Sequence, residues 1–365
     1  MLAFAIPLTI LSAAFRGILE GLHKFVAVNI VRMAVGTATF LAPAVALSFS
    51  TSLFAMMMVL LVCRVATTTA YAVLAVRAVP SLRKPASISL TSLRPLLRFG
   101  GWTTVGSMIG PILSNADKFM MSAVVSVAAV AYYTTPYEIV SRLLVLPAAL
   151  VAVLFPVFTS GLRGDIDAVA RTYSRAVRWT FLILFPLVLS IVLLARPLLG
   201  AWLGSEFAEH SSLALQLLAC GVLFNALAYL PAVLLQAAGH PDIPAKLNAL
   251  ELVGYLPLLW CILPRWGVEG AALLWMARMA IDALLLLLAA HRMMGVGEAR
   301  WRVVFFHAAL AGGLIAAGLL PGPLWIHLLF LVGSLAAWMP LAWATLLDDL
   351  DRRQIVGQFR LRSTA

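Results

Sequence analysis

Eleven apolar stretches, read as membrane-crossing segments, fill almost the whole of this 365-residue chain. They lie at roughly 2–15, 26–47, 53–76, 96–124, 128–158, 176–195, 211–236, 247–263, 268–290, 303–320 and 324–346. A helical crossing needs about 20 mostly apolar residues. Lipid offers backbone groups no partner, so only helices or a closed barrel can cross it. These Leu/Ala/Val-rich runs are too long for barrel strands and lack their alternation. The expected class is an all-α integral membrane protein with about 11 transmembrane helices. Composition agrees, with 63% hydrophobic and 11% charged residues, far from a soluble domain. The first stretch starts at Met1 with no basic leader and no small-residue cleavage site, so it reads as a helix entered partway rather than a signal peptide.

A net charge of +11 could suit a nucleic-acid partner. Its distribution argues against one. Arg16 and Lys24, then Arg77, Arg83, Lys84, Arg94 and Arg98, then Arg163, Arg171, Arg175 and Arg178 fall on alternate connections. Lys246, then Arg292, Arg300 and Arg302, then Arg352, Arg353, Arg360 and Arg362 continue the series. The opposite connections carry only Arg196 and Arg265, beside Glu206, Glu209 and Glu269. This positive-inside bias puts the C-terminus in the cytoplasm, and an odd number of spans then puts Met1 outside. Trp202, Trp266, Trp301 and Trp325 sit near span ends, as an aromatic belt requires. Cys63, Cys220 and Cys261 lie inside spans and read as buried thiols; neither they nor the six histidines have metal-ligand spacing. P-loop, His-Glu-x-x-His and Gly-x-Ser-x-Gly motifs are absent. No catalytic residue, metal or cofactor is expected, and an ion gradient or substrate flow would supply the energy.

The longest polar connection, about 77–98, separates three spans from eight. A weak repeat crosses it. Gly17 to Lys24, Asn29 and Arg64 are echoed by Leu234 to Pro241, Asn248 and Arg278, at an offset near 215 residues. Each copy is a span, a short turn and two more spans. Internal repeats are how many transporters are built. The second copy has three spans upstream of the match, at 96–124, 128–158 and 176–195, and the first has none. The chain therefore reads as a transporter without its first three helices.

Ionisable residues inside spans are costly, and each is a functional-site candidate. Here they are Arg64, Asp117, Lys118, Glu138, Arg142, Glu251, Arg278 and Asp282. Glu138 and Arg142 stand four apart on one helix face, as do Arg278 and Asp282 in reverse order. Either pair can simply neutralise itself and hold helices together. Alternatively Arg64, Arg142 and Arg278, in three different spans, line one cavity and hold an anionic headgroup through bidentate contact with phosphate. Asp117, Glu138 and Asp282 are then candidates for coupling or gating. Pro136, beside Glu138 and Arg142, is the expected hinge, since proline removes an i→i−4 bond. Gly106 and Gly110 make a small-residue packing face. Asp165 to Arg178 is amphipathic and reads as an interface anchor.

Residues 94–160 carry a family resemblance. They contain Leu97-Arg98-Phe99-Gly100-Gly101-Trp102, Asp117-Lys118-Phe119, Ala131-Tyr132-Tyr133, Pro136-Tyr137-Glu138 and Leu154-Phe155-Pro156. This segment resembles the Wzx-type oligosaccharide flippases of polysaccharide biosynthesis, within the superfamily that also holds MATE exporters and the lipid II flippase. Arg16-Gly17 through Glu20-Gly21 is similar to the turn after that family's fourth helix. The resemblance implies a MATE-like two-lobe transporter fold with an incomplete N-terminal lobe. Residues 1–76 would be the last half of the first lobe, 77–95 a cytoplasmic connection and 96–292 the second six-helix lobe. Residues 293–346 would be two additional C-terminal helices, and 347–365 a cytoplasmic tail.

The implied function is not enzymatic. It is translocation of an undecaprenyl-diphosphate-linked oligosaccharide across the bacterial inner membrane, for O-antigen, capsule or exopolysaccharide. Membrane lipids, a polysaccharide polymerase and glycosyltransferases are the implied partners besides the lipid-linked substrate. Two alternatives stand beside it. An ion-coupled multidrug or cation exporter would line its cavity with acids and aromatics. An integral-membrane glycan polymerase or ligase would need a large outer loop, and the longest here is about 196–210.

Overall fold

A computed structural model describes residues 2–22, 24–47, 52–83, 90–162, 164–294, 309–318, 322–347 and 352. Lys84, Arg163, Arg300, Trp301, Arg302, the start of the tenth stretch and most of the tail lie outside them. The described residues are almost all helical, without strands. The helices are α1 (Leu2–Gly21), α2 (Phe25–Leu47), α3 (Leu53–Ala78), α4 (Leu90–Val124), α5 (Val127–Ser141), α6 (Val145–Gly161), α7 (Ile166–Leu203), α8 (Ser205–Ala237), α9 (Asp242–Met294), α10 (Ala309–Gly318) and α11 (Leu324–Thr345). Six helical stretches among the described residues are long and apolar enough to cross a bilayer, with α5 and α6 forming one of them. The chain is a multi-pass membrane protein.

Two of these stretches are more complicated than one crossing. The apolar stretch of α9 has 52 residues, about 78 Å at 1.5 Å per residue, against a hydrocarbon core of about 30 Å. It breaks at Gly267, where φ is 50° and ψ −132°. A side chain is disfavoured at such a φ, so glycine sits there. The arms 242–266 and 268–294 match the eighth and ninth apolar stretches. The α5–α6 stretch is interrupted by a 3-10 turn at Arg142–Leu144. Its cause is Pro147, whose ring has no N–H and crowds the carbonyl of Leu143, four residues back. Helix α5 runs unbroken through the buried Pro136, and the 3-10 turn begins six residues after it.

The chain divides into two compact units, Met1–Leu93 and Arg94–Ala365. In the first unit α1 and α2 pack on α3 around Leu19, Val28, Tyr71 and Ala75. The Thr68 hydroxyl shares its hydrogen between the Leu8 carbonyl at 3.1 Å and the Arg64 carbonyl at 2.9 Å, tying α3 to α1.

In the second unit α8 is the innermost helix. Its most apolar window is 72% buried, against 11–44% for the other spans of that unit, because α5, α6, α7 and α9 all pack on it. Small residues allow this approach: a Cβ on Gly221 would lie 2.3 Å from the Trp275 ring. Gly221→Ala should therefore cost about 1–3 kcal/mol of stability. Gly254→Ala, where a Cβ meets nothing within 4 Å, should leave the thermal unfolding temperature in detergent unchanged. Equal unfolding temperatures for the two variants would refute the tight α8–α9 contact.

The stripe Val169, Tyr173 and Val177 at the start of α7 is covered by Phe158, Leu230 and Leu234. This amphipathic lead-in belongs to the bundle rather than standing apart as an anchor, and Asp165 caps it by accepting from the Ala168 N–H at 2.8 Å. Trp202, Trp266 and Trp325 are each more than 60% exposed, which suits aromatic rings at a lipid boundary. Cys220 is buried and Cys63 half-buried, but Cys261 is exposed, so the expectation of three buried thiols does not hold.

Candidate functional site

Helix α4 enters the second unit's core through Leu113, Ala116, Asp117 and Met121. Their spacing of i, i+3, i+4 and i+8 places them on one helix face. Three are apolar, and the fourth is a carboxylate only 2% exposed. A buried charge of this kind needs partners. Both of its oxygens have one: the Tyr133 hydroxyl of α5 donates to Oδ2 at 2.7 Å, and the Tyr255 hydroxyl of α9 donates to Oδ1.

Tyr255 also meets a cation. The Arg278 guanidinium carbon lies 4.8 Å from the centre of its ring, a cation–π distance. Arg278 Nε stands 3.9 Å from Glu251 Oε2, and both side chains are 10% exposed. Asp282 lies within electrostatic reach of Arg278 and Glu251. Beside this group Lys118 Nζ sits 5.3 Å from the Tyr137 ring. Tyr137 stacks on Tyr133 and meets Trp275 edge-on. The result is a buried polar cluster joining α4, α5 and both arms of α9.

The cluster is not fully satisfied. Arg278 Nε and Nη1 and Glu251 Oε1 have no hydrogen-bond partner among the described residues. Glu251 and Asp282 face a single guanidinium, so acids outnumber bases in this corner. Such an arrangement can respond to a proton or an ion.

The structure thus brings Asp117, Arg278 and Asp282 together. Glu138 and Arg142 lie elsewhere: they pair with each other at 3.7 Å across the end of α5, with side chains 53% and 80% exposed. Arg64, in the first unit, is exposed and lines a cleft of about 550 Å³ with Ile10, Thr39 and Met57. The sequence singles out Glu251 as an ionisable residue inside a span but gives no site role to Tyr133, Tyr137 or Tyr255, which complete the cluster. Tyr255 follows Glu251 by four residues and Tyr137 follows Tyr133 by four, so helical spacing already put each pair on one face.

Residues 1–212 match the family model described as "Polysaccharide biosynthesis protein". The chain is 33% identical to a putative O-antigen transporter of Shigella flexneri over 305 residues, 82% of this chain and 70% of that one. The chain belongs to the polysaccharide biosynthesis protein family. Its fold is MATE-like. A crystal structure of a MATE mutant superposes with a TM-score of 0.65 at 15% identity, over 79% of this chain and 66% of that one. The lipid II flippase MurJ in an inward closed conformation gives 0.55 at 15% identity, over 94% of this chain and 73% of MurJ. In this polysaccharide biosynthesis protein the matched segment 1–212 includes Arg64, Asp117, Tyr133, Glu138 and Arg142. Tyr255, Arg278 and Asp282 lie beyond it.

Proposed function

We propose that this chain moves a lipid-linked oligosaccharide across a membrane during surface polysaccharide biosynthesis. The single observation that carries this reading is its similarity to the putative O-antigen transporter along most of both chains. The physical problem fits the site. A diphosphate cannot enter hydrocarbon without replacement of its water, and guanidinium groups replace it well. Arg64 and Arg142 have side chains free enough to reach a headgroup. Arg278, which lies over a ring face and beside two carboxyls, acts together with Asp117 and Asp282 as a charge-sensitive tie between helices. Glu138 holds Arg142 in reserve. In this reading the membrane is the bacterial inner membrane, the basic connections and the C-terminus are cytoplasmic, and the lipid carrier is undecaprenyl diphosphate. Residues 1–76 are the last half of one lobe, 96–292 a second lobe and 293–346 an added pair of helices.

A cation exporter would also gather acids and aromatic rings. Here the ring faces of Tyr255 and Tyr137 are already occupied by the protein's own Arg278 and Lys118, which leaves a cationic drug little to bind.

The test is complementation of a bacterial strain unable to export its lipid-linked glycan. The full chain should restore surface glycan, and the Arg64→Ala/Arg142→Ala double variant should lose about tenfold or more of it at equal membrane abundance, the loss expected when charged hydrogen bonds to phosphate are removed. Undiminished surface glycan in the double variant would rule out headgroup contact by either arginine.

A further inference from the structure

We propose that the groove between the start of α4 and the α8–α9 turn binds a sugar-bearing diphosphate headgroup before translocation. This deepens the reading above and rests on it.

The groove has two adjoining chambers that share Trp102 and Pro241. The first, about 810 Å³, is lined by Arg94, Arg98, Phe99, Trp102, His240 and Asp242 among others. Arg94 and Arg98 are four apart on α4, hence on one face. Neither has an acidic partner among the described residues. The acid on the wall, Asp242, is already taken: its Oδ2 lies 2.7 Å from Lys246 Nζ and its Oδ1 3.9 Å from His240 Nδ1. The chamber is therefore cationic, with two planar guanidinium groups of the kind that grip phosphate oxygens in pairs.

The second chamber, about 260 Å³, is neutral. Thr103, Ser107, Gln236 and Asn248 contribute hydroxyls and amides. The amides of Gln236 and Asn248 make no hydrogen bond among the described residues. The two hydroxyls spend their hydrogens on the α4 backbone, Thr103 on the Phe99 carbonyl at 2.9 Å and Ser107 on the Thr103 carbonyl at 2.8 Å. Their lone pairs remain as acceptors. Trp102 forms the wall between the chambers, and Lys246 Nζ lies 5.1 Å from its ring centre. A phosphate-gripping chamber beside a small chamber of unspent amides and an indole matches a diphosphate joined to a sugar, whose hydroxyls need both donors and acceptors. Together the chambers have the volume of a ligand site.

The turn that shapes this groove is one copy of the internal repeat. Helix α8 ends where Gly239 adopts φ 85°, and the His240 N–H closes the turn on the Leu235 carbonyl at 2.9 Å. In the first copy Glu20 stands 3.5 Å from both Arg16 and Arg32, so those arginines are occupied within the chain. Arg94 and Arg98 are not.

The test uses the full chain in phosphatidylcholine nanodiscs, with bound lipid read by native mass spectrometry. The probes are a prenyl diphosphate carrying one N-acetylglucosamine, the same prenyl diphosphate without sugar, phosphatidylglycerol, and inorganic pyrophosphate as competitor. Binding should weaken in the order of the three lipids. Arg94→Ala/Arg98→Ala should weaken both diphosphate lipids by about tenfold or more. Arg94→Lys/Arg98→Lys, which keeps charge, should recover part of that binding, showing that the loss is not misfolding. Gln236→Ala/Asn248→Ala should bring the sugar-bearing probe down to the level of the bare diphosphate. Unchanged binding in the arginine-to-alanine variant overturns the proposal. So does equal binding of phosphatidylglycerol with no effect of the amide variant, which marks a general anionic-lipid patch. Displacement by pyrophosphate at the lipid's own concentration also overturns it, because free diphosphate is then the ligand. Binding is read without transport. A chain that binds but never exports glycan refutes only the proposed function, and one that exports while its groove variants bind normally refutes only the groove.

Discussion

Arg278→Ala is expected to lower stability by about 3–5 kcal/mol, the usual cost of removing one member of a buried ion pair, and to abolish glycan export. The guanidinium lies between Glu251 and the Tyr255 ring, with Asp282 close by. Removing it leaves two neighbouring carboxyls without a cation. The loss should show as a lower unfolding temperature in detergent and lower membrane abundance. Arg278→Met combined with Glu251→Gln should recover much of the stability, since charge and countercharge leave together and volume is roughly kept. Export should stay lost in that double variant if the charges serve transport. A fully active double variant would reduce the pair to structural glue.

The second large effect is expected at Asp117. Asp117→Ala strands two phenols, Tyr133 and Tyr255, which are 1% and 3% exposed. Each orphaned hydroxyl costs about 1–3 kcal/mol, so the variant should be among the least stable single changes in the second unit. Asp117→Asn should behave differently. An amide can still pair with both phenols, because a phenol accepts as well as donates. The expected result is near-normal stability with strongly reduced export. The comparison of unfolding temperature with surface glycan, variant by variant, separates a role in charge from a role in packing. Normal export by Asp117→Asn would mean that the carboxylate only holds α4 in place.

Much of the architecture was legible because lipid imposes a single length and a single backbone solution. The eighth and ninth apolar stretches were separable around 263–268 because Pro264 and Gly267 interrupt them, and the break does fall at Gly267. The 3-10 turn before Pro147 was less legible. The chain has several prolines inside helices, and nothing local says which one interrupts its helix: α5 continues through Pro136, while the turn before Pro147 is 3-10. The charges inside spans were visible as anomalies, so Asp117, Arg278 and Asp282 could be named. Their arrangement could not. Asp117 finds Tyr255 138 residues away, a pairing that depends on how α4 packs against the first arm of α9. The pair Glu138 and Arg142 had the clearest sequence spacing, yet lies away from the buried cluster. Spacing reports who shares a helix face, and it is silent on what that face meets.

Helix α4 buries three greasy side chains and one carboxylate in the core of its unit. Hydrocarbon contacts alone would let a helix creep past its neighbours in small increments, with no defined point of release. A carboxylate clasped by two phenols behaves as a catch, because both hydrogen bonds must break before the helix can travel. Motion of α4 would then come in steps rather than as drift, and the chemistry that opens the catch would set its timing.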